Sequence, residues 1–186
     1  MPSAFDGPGE RDSDRKLFRA LGAAAVLGGS LRIVSAFVPW TPGSARLELF
    51  YFVIDVFLLF GLMGVYFAHR TRLGIFGFVA FVVAETGIAS IVGPDTTLLG
   101  VDTYAAGVVV IMIGLTLLSI QMLARRVGLR WAPACWVVAL LAGIVGGAAK
   151  KVELGFFAGG ISFGLGFVGA GLSLFTPERG ERSELR

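Results

Sequence analysis

The chain is poor in charged residues, in cysteine and in histidine. Only 16% of its 186 residues are Asp, Glu, Lys or Arg, whereas soluble domains average about 25%. One cysteine and one histidine exclude an internal disulfide, a CxxC redox pair and a metal site built from several thiolates or imidazoles. No HExxH motif is present, and we identify no cofactor-binding or metal-binding motif.

The sequence consists mainly of long apolar runs. The chain is 55% hydrophobic and contains 27 glycines without a G-X-Y period, which indicates close helix contacts in lipid rather than collagen. Since about 20 apolar residues cross a bilayer as a helix, we predict an all-α polytopic membrane protein, a bundle of six transmembrane helices. The predicted spans are Leu17–Val38, Leu47–Ala68, Leu73–Val92, Tyr104–Leu123, Trp131–Ala149 and Val152–Phe175.

Charge outside the spans predicts three regions and an orientation. Residues 1–16 are expected to form a disordered cytoplasmic tail, 17–175 the transmembrane domain and 176–186 a charged cytoplasmic tail. Most of the 16 Lys and Arg residues lie in the tails and in the second and fourth loops, whereas the other loops hold Arg46, Lys150 and Lys151. Because positive residues are retained inside, we expect a multi-pass protein of the cell membrane with both termini cytoplasmic.

A faint internal repeat favours three related helical hairpins. Gly61 and Gly64 of the second span match Gly166 and Gly169 of the sixth at a constant offset, and Gly61 also matches Gly114 of the fourth. A parallel repeat of hairpins would explain these matches. Chance is the competing explanation, since Gly, Leu and Phe dominate all six spans.

Three ionisable residues lie inside apolar runs: Arg32, Asp55 and Glu85. Such residues are costly in lipid and normally face protein or water. At about 1.5 Å per residue from the nearest predicted loop, all three residues lie about 10–12 Å below the outer boundary of the membrane. We therefore predict that they form one ion or proton cluster. One arginine and two carboxylates leave an excess negative charge that a proton would neutralise. A static network that only fixes helix pairing explains the same residues.

The second span carries a mostly polar stripe that includes Asp55. Glu48, Tyr51 and Tyr66 fall on it at helical spacing. We therefore predict that these three residues line a pathway through the bundle interior.

The sixth span is unusually rich in glycine. Gly155 and Gly159, and Gly160 and Gly164, form two GxxxG steps, which allow helix backbones to approach closely. Packing inside the bundle is one interpretation. The other is a groove for a second copy of the chain or for another membrane protein.

These features lead to two main functional hypotheses. The first is a proton-linked or cation-linked transporter or channel-like protein that uses Arg32, Asp55 and Glu85. The alternative is a non-catalytic assembly or scaffold subunit of a larger membrane complex. An intramembrane enzyme that uses two carboxylates ranks below both, because a carboxylate pair alone specifies no reaction. Expected partners are the lipid bilayer and a partner at the sixth span, and not nucleic acid, because topology explains the basic residues.

Overall fold

The computed structural model describes residues 8–39, 41, 43–92, 97, 98 and 100–175. The secondary structure of this part of the chain consists of helices and two short strands. The helices are α1 (Pro8–Ser35), α2 (Ala45–Ile91), α3 (Thr103–Arg125), α4 (Trp131–Ala148) and α5 (Val152–Ser173). Strands β1 (Thr97–Leu98) and β2 (Val101–Asp102) pair antiparallel just before α3.

The described residues form five helices, not the six predicted, and all five are long and apolar enough to cross a membrane. The difference lies in α2, whose 47 residues include the second predicted span and all but the last residue of the third. The predicted loop between those spans, residues 69–72, contains neither glycine nor proline, so nothing in it stops the helix. The helical conformation is interrupted two residues later, at Gly74.

The chain reverses direction at Gly74. This residue has φ 60° and ψ −161°, a conformation that is essentially restricted to glycine. The rings of Tyr66 and Phe81 stack with their centroids 4.3 Å apart, so residues on either side of the break lie face to face. On α3, Gln121 donates a hydrogen bond of 3.0 Å from its side-chain amide to the Leu73 carbonyl, which satisfies an acceptor beside the break.

We call residues 45–73 the first half of α2 and residues 75–91 its second half. The first half packs on α1, and the second half packs on α3. Helices α4 and α5 pack on each other, α5 also contacts α1, and a smaller contact joins α3 to α4. The helices therefore surround a common centre.

The start of α1 and the end of α5 lie at the same end of the bundle. A Cβ at Gly22 would lie 3.1 Å from the carbonyl oxygen of Gly171 and 3.1 Å from Cβ of Leu174. Leu21 contacts Gly64, which leads towards the reversal at Gly74. We call this end of the bundle the Gly74 end, and the other the opposite end.

The helix bounds differ most from the predicted spans at the N-terminus. Helix α1 begins at Pro8, so residues 8–16, assigned to the tail from the sequence, are helical. Residues 1–7 and 176–186 lie outside the described residues. The helices α3, α4 and α5 each end within two residues of the predicted bounds.

One glycine in each predicted hairpin lies against the helix that precedes it. Gly61 contacts Ala25, Gly114 contacts Ala84, and Gly166 contacts the Trp136 ring. All three contacts are too close for a Cβ atom. The hairpin repeat stays a prediction, but the glycines that suggested it share this packing role.

Candidate functional site

A cavity of about 110 Å³ lies among the helices in the half of the bundle away from Gly74. Every helix contributes to its wall, and most of the lining side chains are apolar. Its lining includes Arg32 of α1, Asp55 and Ile88 of α2, Tyr104 of α3, Gly143 of α4 and Gly160 of α5. In the described part of the chain, Arg32 and Asp55 are the only charged residues that line it.

Helix packing places Arg32 and Asp55 at the same depth. Gly28 of α1 lies against the backbone of Phe57 and Leu58, and α1 runs antiparallel to the first half of α2. Arg32, one turn beyond Gly28, is therefore level with residues 54 and 55. The Asp55 side chain is buried, with 8% of its surface exposed, and Arg32 is half-buried and near enough to act on Asp55 electrostatically.

Glu85 does not line this cavity. The stacking of Tyr66 on Phe81 sets the register of the two halves of α2, and in that register Glu85 is level with Leu62. Leu62 is two turns from Asp55, about 10 Å along the helix. The sequence-based count of residues from the loops predicted Glu85 and Asp55 at one depth. The first half of α2 is much longer than the second, so the ends of the two halves away from Gly74 lie at different depths. A count that begins at those ends therefore does not compare the depths of the two residues correctly.

The Glu85 carboxyl group is nevertheless shielded from solvent. Both of its oxygens are buried, and neither has a hydrogen-bond partner among the described residues. Glu85 is one turn from Phe81 and nearly one turn from Ile88 on the same face of the helix. It therefore lies between the cavity, which Ile88 lines, and the Gly74 end.

The three residues predicted to line a pathway are buried to different degrees. Glu48 is exposed and Tyr51 is half-buried. Tyr66 is buried and stacks on Phe81. None of the three lines the cavity, and Tyr66 acts in the contact between the two halves of α2.

The glycines of the sixth predicted span, now in α5, face neighbouring helices of the same chain. A Cβ at Gly155 would lie 2.9 Å from Cα of Gly146 on α4, and one at Gly159 would lie 3.3 Å from the Ala139 carbonyl oxygen. At Gly164 it would lie 2.5 Å from the Gly29 carbonyl oxygen on α1. Gly160 differs, because its nearest neighbour would be Ala36 Cβ at 3.8 Å. Gly155, Gly159 and Gly164 thus contact helices of the same chain and are not open to a partner.

Sequence reasoning missed three residues at or near the site. Tyr104 and Gly143 line the cavity, and Gln121 contacts the backbone beside the break. The only sequence signal for Gln121 was an amide inside an apolar run. Nothing in the sequence marks Gly143 among so many glycines.

One pattern in α5 has the letters of a catalytic motif. Residues 160–164 read GISFG, which matches GxSxG. In hydrolases the serine of that motif lies on a sharp turn between a strand and a helix, whereas Ser162 lies in the middle of α5. The pattern is therefore not a nucleophile elbow.

Within the residues that the structure describes, no group of three His, Cys, Asp or Glu side chains could hold a metal ion. The chain matches no protein-family model, no curated protein and no solved structure. The function is therefore inferred from the cavity and its two charged residues.

Proposed function

We propose that this protein is a small proton-linked membrane transporter, and that Asp55 is the cavity residue that takes up and releases the proton. The observation that carries the proposal is that the buried Asp55 and the half-buried Arg32 lie at the same depth in the wall of a cavity that every helix lines. Ionisable residues inside membrane helices typically mark substrate and proton pathways. A wall made by every helix also allows small helix movements to change access to the site.

Glu85 would form a second position on the proton route. It lies about two turns from Asp55 towards the Gly74 end, and its oxygens have no hydrogen-bond partner among the described residues. A carboxyl group without a fixed partner can gain or lose a proton without breaking an ion pair. We therefore propose that protons pass from the cavity towards the Gly74 end through Glu85.

The transport proposal includes six membrane crossings. Because α2 reverses at Gly74, its two halves would cross the bilayer in opposite directions. Both ends of the described chain would then lie on one side, and the distribution of Lys and Arg favours the cytoplasm for that side.

Cysteine labelling tests this topology. Thr41 lies in the connection between α1 and α2, and Thr71 lies just before the reversal. In a Cys135→Ser background, Thr41→Cys should react with an impermeant maleimide added to intact cells, and Thr71→Cys should react only after the membrane is opened. Equal labelling of both positions in intact cells would contradict six crossings.

The transport proposal is tested in liposomes that contain a pH-sensitive dye. Inward gradients of a small organic anion (ethanesulfonate), two cations (tetramethylammonium and sodium) and a neutral solute (urea) are imposed in turn. We expect at least one solute to drive proton movement above that of empty liposomes, and Asp55→Asn to abolish the movement. Failure of all four solutes with correctly folded protein would contradict the proposal.

The assembly-subunit alternative loses its main support in α5. That hypothesis needed an open glycine face on α5, and Gly155, Gly159 and Gly164 pack against α4 and α1 instead. Transport through the central cavity therefore has the stronger structural support of the two.

A further inference from the structure

The chemistry of the cavity wall restricts what it can bind. The wall is mostly hydrocarbon, with side chains such as Leu58, Ile111 and Phe163, and its charged groups are Arg32 and Asp55. A solute bound here needs an apolar body for the hydrocarbon surface, and any charge it carries must be balanced by those two residues.

Charge balance distinguishes the classes of solute. With Arg32 positive and Asp55 negative, the empty site is neutral. A monovalent cation would give the site a net charge of +1, and a monovalent anion would give −1. An anion that binds together with a proton on Asp55 leaves the site neutral, because the anion then balances the charge of Arg32 and Asp55 carries none.

We propose that the cavity binds a small monovalent organic anion at Arg32, coupled to the uptake of one proton by Asp55. This inference rests on the proposed proton-linked transport and names its substrate class. In this scheme the charge of Arg32 is balanced by Asp55 in the empty site and by the anionic solute in the loaded site. Because uncompensated charge is costly away from water, both the empty and the loaded site are favoured as neutral states.

Among the described residues, no charged side chain other than Arg32 and Asp55 lines the cavity. On α3 the cavity lining contributes Tyr104, and the lining residues of α4 and α5 are apolar or glycine. Glu85, on the second half of α2, lies closer to the Gly74 end than the cavity does and is not among the lining residues. At the opposite end, Glu48, Lys150 and Glu153 are exposed and do not line the cavity.

The cavity volume sets the size of the solute. A cavity of about 150 Å³ accommodates benzene, which has six non-hydrogen atoms, so a cavity of about 110 Å³ accommodates a solute of at most about this size. Butyrate and ethanesulfonate have this size and carry one negative charge on a short hydrocarbon chain. Ethanesulfonate is the better probe, since it stays ionised at every working pH and does not cross lipid as a neutral acid.

The proposal is tested by calorimetric binding to the full-length protein in detergent at several pH values. We expect ethanesulfonate and butyrate to bind, and butylamine and butanol, which have the same four-carbon chain as butyrate, to bind at least tenfold more weakly. Between neutral and alkaline pH, the dissociation constant for ethanesulfonate should approach a tenfold increase per pH unit, the limit for one coupled proton. Tighter binding of butylamine, pH-independent anion binding, or no anion binding by folded protein would overturn the proposal.

Two substitutions separate the roles of the charged residues. Asp55→Asn imitates the protonated carboxyl, so it should still bind ethanesulfonate, with affinity independent of pH. Arg32→Gln should weaken anion binding at least tenfold at every pH. Loss of binding in folded Asp55→Asn, or unchanged binding in Arg32→Gln, would contradict the assignment.

A matched pair of glycines tests the location of the site. Gly143 and Gly147 lie one turn apart on α4, a Cβ at either would meet no atom within 4 Å, and only Gly143 lines the cavity. Gly143→Val should therefore reduce ethanesulfonate affinity at least tenfold, while Gly147→Val leaves it unchanged. Equal effects of the two substitutions would place the binding site elsewhere.

Failure of this inference can be distinguished from failure of the proposed function. If sodium or tetramethylammonium drives Asp55-dependent proton movement in liposomes and the anions do not bind, the substrate class is wrong and proton-linked transport stands. If ethanesulfonate binds with the expected pH dependence but no solute moves protons, the protein is an anion-binding protein and the transport proposal fails.

Discussion

The ring of Tyr66 stacks on the ring of Phe81, with centroids 4.3 Å apart and ring planes 11° apart. These residues are 15 positions apart, a separation of about 22 Å in a straight helix. The stack therefore requires α2 to fold back at Gly74. The reversal also determines the depth of Glu85 relative to the cavity.

Gly74→Ala should destabilise the protein. A Cβ would meet no neighbouring atom, so the cost comes from the backbone, whose φ of 60° and ψ of −161° are unfavourable for alanine by about 1–3 kcal/mol. Thermal unfolding in detergent measures the effect. Gly147→Ala, within α4, is the control and should leave stability unchanged or slightly raised. Equal unfolding temperatures for Gly74→Ala and the wild type would show that the reversal does not need this conformation.

Gln121→Leu should also destabilise the reversal. It removes the hydrogen bond to the Leu73 carbonyl, and a half-buried acceptor that loses its donor costs about 1–3 kcal/mol. The control is Leu117→Ala, one turn earlier on an exposed position of α3. Hydrogen exchange at residues around Gly74 should increase in Gln121→Leu and remain as in the wild type in Leu117→Ala. Unaltered exchange in both variants would indicate that the hydrogen bond contributes nothing.

The glycines of α5 should differ in their tolerance of alanine. Gly164→Ala would place a Cβ 2.5 Å from the Gly29 carbonyl oxygen and 2.7 Å from Cγ1 of Ile33, which forces α1 and α5 apart and costs about 1–3 kcal/mol. Gly160→Ala finds its nearest neighbour at 3.8 Å and should fold normally. Thermal unfolding of the two variants checks this difference, and a larger loss for Gly160→Ala would contradict the packing described for α5.

Glu85 substitutions should separate stability from transport. Replacing a buried carboxyl that lacks a hydrogen-bond partner among the described residues removes a desolvation cost, so Glu85→Leu should stabilise the protein by about 1–3 kcal/mol. Glu85→Gln should reduce solute-driven proton movement at least tenfold. Ethanesulfonate affinity should not change, because Glu85 does not line the cavity. Normal proton movement in Glu85→Gln would make Glu85 a structural residue.

Much of the fold could be predicted because membrane helices require long apolar runs. The bounds of α3, α4 and α5 follow the hydrophobic segments closely. The position of the reversal in α2 was predicted wrongly, because the loop was assigned to the charged residues 69–72. Those residues suit a helix as well as a loop. The conformation at Gly74 could not be identified in a chain with 27 glycines, since composition does not reveal φ.

Part of the site could be predicted because residue counts along a helix give depth in the membrane. Arg32 and Asp55 belong to consecutive antiparallel helices, and counting residues from their shared loop gave the correct relative depth. For Glu85 the count began at the end of the second half of α2, which does not lie at the same depth as the helix ends used for Arg32 and Asp55. Tyr104 and Gly143 belong to the cavity only through the packing of α3 and α4, which no periodicity in the sequence encodes.

The most direct test of the account is solute-driven proton movement through the wild-type protein and through Asp55→Asn in the same liposome assay, with Gly147→Val as the control. With an inward gradient of ethanesulfonate, we predict rapid acidification of the lumen by the wild type and by Gly147→Val. Asp55→Asn, which we expect to bind the anion still, should acidify the lumen at least tenfold more slowly. Acidification by Asp55→Asn at the wild-type rate would contradict the claim that Asp55 carries the transported proton.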